Sequence, residues 1–100
     1  MRVTRIEFDG FDWDGGNVRK AQKHGLTLAQ IESVFREEVR VLVDASHSRD
    51  ETRTIAVGGG GNARPAFVVF TMRKRFDLRL IRVISARYMH KREIELYEEL

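Results

Sequence analysis

The run Leu80-Ile81-Arg82-Val83-Ile84-Ser85-Ala86-Arg87 constrains the fold more than any other stretch of the chain. Rich in β-branched residues and apolar on both sides of its alternation, it reads as a strand lying inside a sheet. Two arginines in such a run need a purpose, because a buried guanidinium is costly without an anion. Strict alternation places Arg82 with Leu80, Ile84 and Ala86, and sets Arg79, Ile81, Val83, Ser85 and Arg87 on the other side. The two guanidinium groups are therefore expected to do different jobs. Beyond the run, His90, Lys91 and Arg92 open an expected helix whose last turns carry Glu95, Glu98 and Glu99. That order opposes the helix macrodipole, so local helix stability does not account for it. A cationic rim gathered for a polyanion does; a solvated face with Lys91 and Glu95 paired at i, i+4 is the plain alternative.

Turn and cap signals order the rest. Val3 to Phe8 alternates as a short first strand, which Asp9-Gly10 breaks. Phe11 and Trp13 read as core anchors, and Asp14 as the N-cap of a short helix that reaches Lys23 or His24 and stops at Gly25. Thr27-Leu28-Ala29-Gln30 is a capping box, with Leu26 placed to staple onto Ile31. It starts a second helix with Leu28, Ile31, Val34 and Phe35 as its buried stripe. Val39 to Asp44 is a strand, Ala45 to Asp50 a polar loop, and Thr52 to Gly58 another strand. A glycine-rich loop cradles phosphate when a helix follows it, but Gly58-Gly59-Gly60-Gly61-Asn62 gives way through Arg64-Pro65 to the strand Ala66 to Arg73, so it reads as a hairpin. Lys74-Arg75-Phe76-Asp77 makes a second hairpin into the central strand. The expected class is α+β, in the order β-α-α-β-β-β-β-α, with a mainly antiparallel sheet packed by helices.

With 42% hydrophobic and 33% charged residues over 100 positions, the chain reads as one globular domain spanning 1–100. The absence of cysteine excludes disulfides, thiolate metal sites and cysteine nucleophiles, and fits a reducing cytoplasm. The start Met1-Arg2-Val3-Thr4 lacks the apolar core of a signal peptide, and no apolar run approaches the roughly 20 residues of a membrane helix. A cytoplasmic protein without a membrane partner is expected. Three histidines without paired spacing give no metal site, and no cofactor is called for. A net charge of +3 and a pI near 9.7 permit a nucleic-acid or an acidic protein partner without demanding either.

Several blocks follow one another in a recognisable order: Phe11-x-Trp13-Asp14-x-Gly16-Asn17-x-x-Lys20-x-x-Lys23-His24-Gly25-Leu26, then Val34-Phe35, Glu51-x-Arg53-x-x-Ala56-x-Gly58, Val68-Val69-Phe70-Thr71-x-Arg73, Arg82-x-Ile84-Ser85-Ala86-Arg87, Arg92-Glu93 and Tyr97. In these the chain resembles the BrnT family of toxins from bacterial type II toxin–antitoxin pairs. The resemblance implies a RelE-like fold and an endoribonuclease activity that inhibits translation. It also implies neutralisation by a small cognate BrnA-like antitoxin, whose DNA-binding part represses the shared operon, so DNA is met only indirectly. A toxin–antitoxin heterotetramer is an assembly consistent with it.

Metal-independent RNA cleavage needs a base for the 2′-hydroxyl proton, cations for the attacked phosphate and an acid for the departing 5′-oxygen. Arginine suits the middle role, since it stays charged and grips phosphate bidentately. Arg53, Arg73, Arg82 and Arg87 fall on three successive expected strands, so a sheet can bring some of them to one face; the alternative is that each points outward to its own acid. His24 is the leading base, with His47, Glu51 and His90 as competitors, although Lys23 and His24 before a glycine are also what a helix C-terminus favours. The catalytic candidates are thus His24, Arg53, Arg82 and Arg87, with Lys20, Lys23, Arg73, Ser85, His90, Lys91 and Arg92 as RNA contacts. Ser85 can equally satisfy itself within the sheet, and Tyr97 reads as packing before stacking. The rival classes are a catalytically silent basic module that holds an antitoxin or nucleic acid, and an interaction domain of a larger assembly.

Overall fold

Two eleven-residue strands, β5 (Pro65–Arg75) and β6 (Leu78–Tyr88), form the longest ladder of the protein. In the computed structural model, which describes residues 2–43, 52–59 and 64–98, they belong to a six-stranded sheet. The other strands are β1 (Arg2–Thr4), β2 (Gly10–Phe11), β3 (Val39–Val43) and β4 (Thr54–Gly59), in the spatial order β1-β3-β4-β5-β6-β2. Every pairing is antiparallel except that of β2 with β6. Three helices complete the described residues: α1 (Val18–Gln22), α2 (Leu28–Val34) and α3 (Lys91–Glu98). None of them is long and apolar enough to cross a membrane. The class is α+β, as expected.

One face of the sheet is covered by α1 and α2. Ala21, Leu26, Ile31, Val34 and Phe35 meet Val39, Ala56, Ala66, Val68, Phe70, Ile81, Val83 and Ala86 there, all of them buried. Phe35 is the hub. Its ring stands edge-on to Phe70 at 5.1 Å, to Phe11 at 5.8 Å and to Phe8 at 6.3 Å, and Phe11 in turn stacks on Trp13 at 6.2 Å. The expected capping box forms: Thr27 Oγ1 accepts from Gln30 N at 3.1 Å, and Gln30 Oε1 accepts from Thr27 N at 2.8 Å. Gly25 takes φ +100, the left-handed conformation that ends the preceding helix.

The first expected strand is not one strand. Arg2–Thr4 pairs with β3 at one edge of the sheet, and Gly10–Phe11 pairs with β6 at the opposite edge. Between them Ile6 and Phe8 pack on the helix-covered core, so their alternation is real but serves a crossing segment and not a ladder. The cap of α1 also differs. Asn17, not Asp14, occupies the N-cap position, and the Asp14 carboxylate closes the preceding turn by accepting from Gly16 N at 2.7 Å. Asn17 is 4% exposed and bridges two parts of the fold. Its amide donates to Asp12 O (2.9 Å) and Val83 O (3.0 Å), and its Oδ1 accepts from Asp14 N (2.9 Å).

The arginine-bearing strand departs from strict alternation at one residue. Val69 pairs with Ser85 and Phe70 with Val83, so Ile84 has no partner in the ladder and forms a β-bulge. The extra residue shifts the phase. Ile81 and Val83 before it, and Ala86 after it, all point into the core, while Leu80, Arg82, Ser85 and Arg87 share the opposite face with Phe67, Val69, Thr71 and Arg73 of β5. The separation of Arg82 from Ser85 and Arg87 onto two faces is therefore corrected: they stand on one.

The glycine turn starts later than expected, since Gly58 and Gly59 still pair with Ala66 and Pro65. The loop Ala45 to Asp50, Asp44, Gly60 to Asn62, and the candidates His47 and Glu51 lie outside the described residues, as does the side chain of Tyr97. At the other hairpin, Phe76 and Asp77 form a two-residue loop with φ 50 and 67. Type I′ loops demand positive φ at both positions, normally supplied by Asn-Gly; two residues with side chains cost about 1–2 kcal/mol each there.

Asn17→Ala removes three bonds, one to Val83 O of β6 and two to Asp12 and Asp14 of the preceding loop, leaving the Asp12 and Val83 carbonyls without this donor. It should lower the unfolding free energy by about 2–3 kcal/mol, read as a reduced midpoint in urea with an unchanged slope.

Candidate functional site

Where β6 ends, its last two residues, Arg87 and Tyr88, point to opposite faces, and the chain then turns through Met89 and His90 into α3. Met89 N donates to Pro65 O at 2.9 Å, which holds this turn against the start of β5 and so brings Arg64 beside it. His24, just past the C-cap of α1, approaches from the helix layer. Together His24, Arg64, Arg87, Tyr88 and His90 line an open cleft of about 300 Å³. Among the described residues, no carboxylate belongs to that lining.

Both arginines lie over aromatic rings, Arg64 above Tyr88 at 4.3 Å and Arg87 above Phe67 at 4.7 Å. The ring quadrupole attracts the cation and fixes the guanidinium plane. Arg87 is held further by Glu93: Nη1 donates to Oε1 and Nη2 to Oε2, each at 2.9 Å, and Nη1 also donates to Tyr88 O at 3.2 Å. Glu93 sits three residues into the turn that begins α3 and accepts from His90 N at 2.8 Å, the return half of a capping box. A single carboxylate thereby fixes both the arginine and the backbone of a cleft histidine. The Arg87 hydrogen bonds, helped by that from His90 N, hold Glu93 down to about 2, and the same pairing raises Arg87.

Arg82 has another fate. It is 17% exposed and donates bidentately to Asp14, from Nη1 to Oδ2 at 2.9 Å and from Nη2 to Oδ1 at 3.1 Å. Buried Asp12 lies 3.5 Å from Arg82 and 3.5 Å from Arg75. The Arg82 hydrogen bonds and that from Gly16 N hold Asp14 below the usual carboxylate range, and Asp14 holds Arg82 above its own. The network ties β6 to the loop that leads into α1.

Of the candidate residues read from the sequence, the cleft brings together His24, Arg87 and His90. Lys20 and Lys23 are exposed on and just after α1, and Lys91 and Arg92 are exposed at the start of α3, so by chain adjacency they flank it. Arg53, Arg73, Arg82 and Ser85 are not in its lining. Four ladder steps separate Arg82 from Arg87, about 13 Å along the strand. Arg64 and Tyr88 are the residues that sequence reasoning missed; the hairpin carried the signal, because pairing Ala66 with Tyr88 puts Arg64 beside that ring. Among the described residues, no three His, Asp or Glu side chains are grouped to hold a metal ion.

Glu93 is depressed from 4.5 to about 2, so its contribution to stability is fully present above pH 4.5 and is lost as pH falls towards 2. The carboxyl-carbon shift of Glu93, followed by NMR, should titrate with a midpoint near 2, and Arg87→Ala should return it towards the ordinary range. A wild-type midpoint near 4.5 would rule the pair out in solution.

No curated protein matches the chain. The family model described as "Ribonuclease toxin, BrnT, of type II toxin-antitoxin system" matches residues 13–93, a span that runs from Trp13 to the glutamate that clamps Arg87. The chain belongs to that family of ribonuclease toxins.

Proposed function

We propose that the cleft at the end of β6 is the RNA-cleaving centre and that it works without a metal ion. One observation carries the reading: two imidazoles and two guanidinium groups, from three separate parts of the chain, line one cleft with an aromatic ring. One imidazole takes the 2′-hydroxyl proton as the 2′-oxygen bonds to phosphorus. The other protonates the departing 5′-oxygen as its bond to phosphorus breaks, leaving a 2′,3′-cyclic phosphate and a 5′-hydroxyl. His24 and His90 are those groups. Arg87 carries the charge that builds on the phosphoryl oxygens, as preorganised donors do. Glu93 and Tyr88 O occupy three of its five N–H donors, leaving Nε–H and one Nη2–H, the side-on fork that suits two phosphate oxygens. Glu93 is thus a positioning residue. Arg64 and Tyr88 serve to hold a neighbouring nucleotide, and Lys20, Lys23, Lys91 and Arg92 its flanking phosphates. Arg82 serves the fold, and Arg53, Arg73 and Ser85 act outside the cleft.

The finer family properties fit the same reading. The fold is RelE-like, cleavage of RNA inhibits translation, and a BrnA-like antitoxin neutralises the toxin by covering the cationic cleft, within a heterotetramer. DNA is met only through that antitoxin.

Purified protein in EDTA should cut total RNA and leave cyclic-phosphate ends. Arg87→Ala should slow cleavage about 10²–10³-fold and lower the melting temperature through loss of the Glu93 pair, and His24→Ala or His90→Ala should slow it about 10²–10⁴-fold with the melting temperature nearly unchanged. Arg82→Ala should only lower the melting temperature. Cleavage only on adding Mg²⁺ would overturn metal independence, and binding of RNA without any cleavage would make the protein a silent basic module.

A further inference from the structure

The β5–β6 hairpin tip is the least explained feature of the surface. Phe76 is 98% exposed and holds a left-handed backbone conformation that disfavours any bulky residue. Met72 and Leu78 behind it are 41% and 48% exposed. A turn chosen for stability would carry Asn-Gly there, and a turn chosen for solubility would not carry phenylalanine. Lys74, Arg75 and Arg79 lie within three residues of the ring, with Asp77 in the hairpin and Glu7, Asp9 and Asp12 in the segment beside it. Asp77 meets Lys74 at 3.9 Å, and Arg79 and Arg75 meet Glu7 and Asp12 from the neighbouring segment, each arginine side chain more than half exposed. An exposed aromatic ring interleaved with cations matches the surface that binds single-stranded nucleic acid, where a base stacks on the ring and phosphates follow the positive charge.

We propose that the hairpin tip is a second RNA contact, in which Phe76 stacks on an unpaired base while Lys74 and Arg75 meet the adjacent phosphates. It rests on the cleft reading only in supposing that both contacts hold one strand. Nine ladder steps of β6 separate Leu78 from Tyr88, so the tip stands about 30 Å from the cleft, within the 40 Å long axis of the molecule. A substrate that reaches both must be a single strand of several nucleotides, and a shorter one occupies the cleft alone. The chemical class is unpaired RNA, recognised without base-specific hydrogen bonds.

The probes are 2′-O-methyl oligoribonucleotides, which lack the attacking hydroxyl and stay intact: one of about 12 nucleotides, within the span of a single-strand site, and one of about three. Phe76→Ala should weaken binding of the longer probe about tenfold and leave that of the shorter one alone. Phe76→Trp should restore the affinity and add an emission change on binding beyond that of wild type, whose single tryptophan is Trp13. Replacing Lys74 with Ala should flatten the salt dependence by about one ion. The proposal is overturned if Phe76→Ala binds the longer probe like wild type, if both probes suffer equally, or if the variant loses only the antitoxin. Cleavage of a dinucleotide by wild type tests the cleft separately; its failure beside a length-dependent Phe76 effect would sink the cleft and keep the hairpin.

Discussion

The bulge at Ile84 decides what each arginine of the central strand can do. Without it, a continuous alternation that kept Ile81 and Val83 in the core would also turn Ser85 and Arg87 inward, and a guanidinium would sit among Ala21, Ile31 and Phe35. One inserted residue resets the phase, so that Ala86 enters the core and Arg87 leaves it over Phe67. The same reset lets Tyr88 fall on the helix side, where Arg64 covers its ring. Apolar content on both sides of a strand that carries Arg82 and Arg87 is thus reconciled by backbone geometry.

Charge on this protein is segregated by partner and not by amount. Arg75 and Arg82 stand against Asp12 and Asp14, a balanced set between β6 and the approach to α1. Around the cleft, Arg64 and Arg87 have the histidines for neighbours and Glu93 as the carboxylate bound to Arg87. An anion arriving from solvent gains little from Arg82, which is 17% exposed and bound to Asp14 with Asp12 behind it, and more from Arg87, which is 40% exposed and keeps its Nε–H edge outside the pairing with Glu93.

Local signals in the sequence were legible and distant pairings were not. The Thr27–Gln30 capping box and Gly25 depend on neighbours within a few positions, so the residues announce them; the hairpin near Lys74 to Asp77 was legible too, but not its two-residue loop, since Phe76-Asp77 lacks the Asn-Gly that marks one. The bulge carries no such mark: Ile84 is as good a strand residue as those beside it, and only the partner strand reveals that it is one too many. The crossing of Arg5 to Asp9 was hidden for a related reason, because alternation states which side chains are buried but not what lies beneath them. His24 and His90 could each be named, yet nothing short of the folded sheet joins residues that far apart in the chain. Arg64 is masked by Pro65, which marks a turn locally and carries no sign of the Tyr88 ring that the ladder brings alongside.

The two bidentate pairs of β6 look alike in distance and differ in what surrounds them. Arg82 is mostly covered, and Asp12 waits behind Asp14, so withdrawing one carboxylate still leaves it an acid within 3.5 Å. Arg87 is 40% exposed, holds one carboxylate, and keeps the side-on edge of its guanidinium open to an incoming anion. Glu93 in turn is tied to the first turn of α3 through His90 N, so the arginine, the histidine and the helix are registered to one another by a single side chain. A fixed guanidinium that retains two parallel N–H groups meets a phosphate without first having to be ordered, and that saving in entropy is what separates a binding arginine from a merely charged surface.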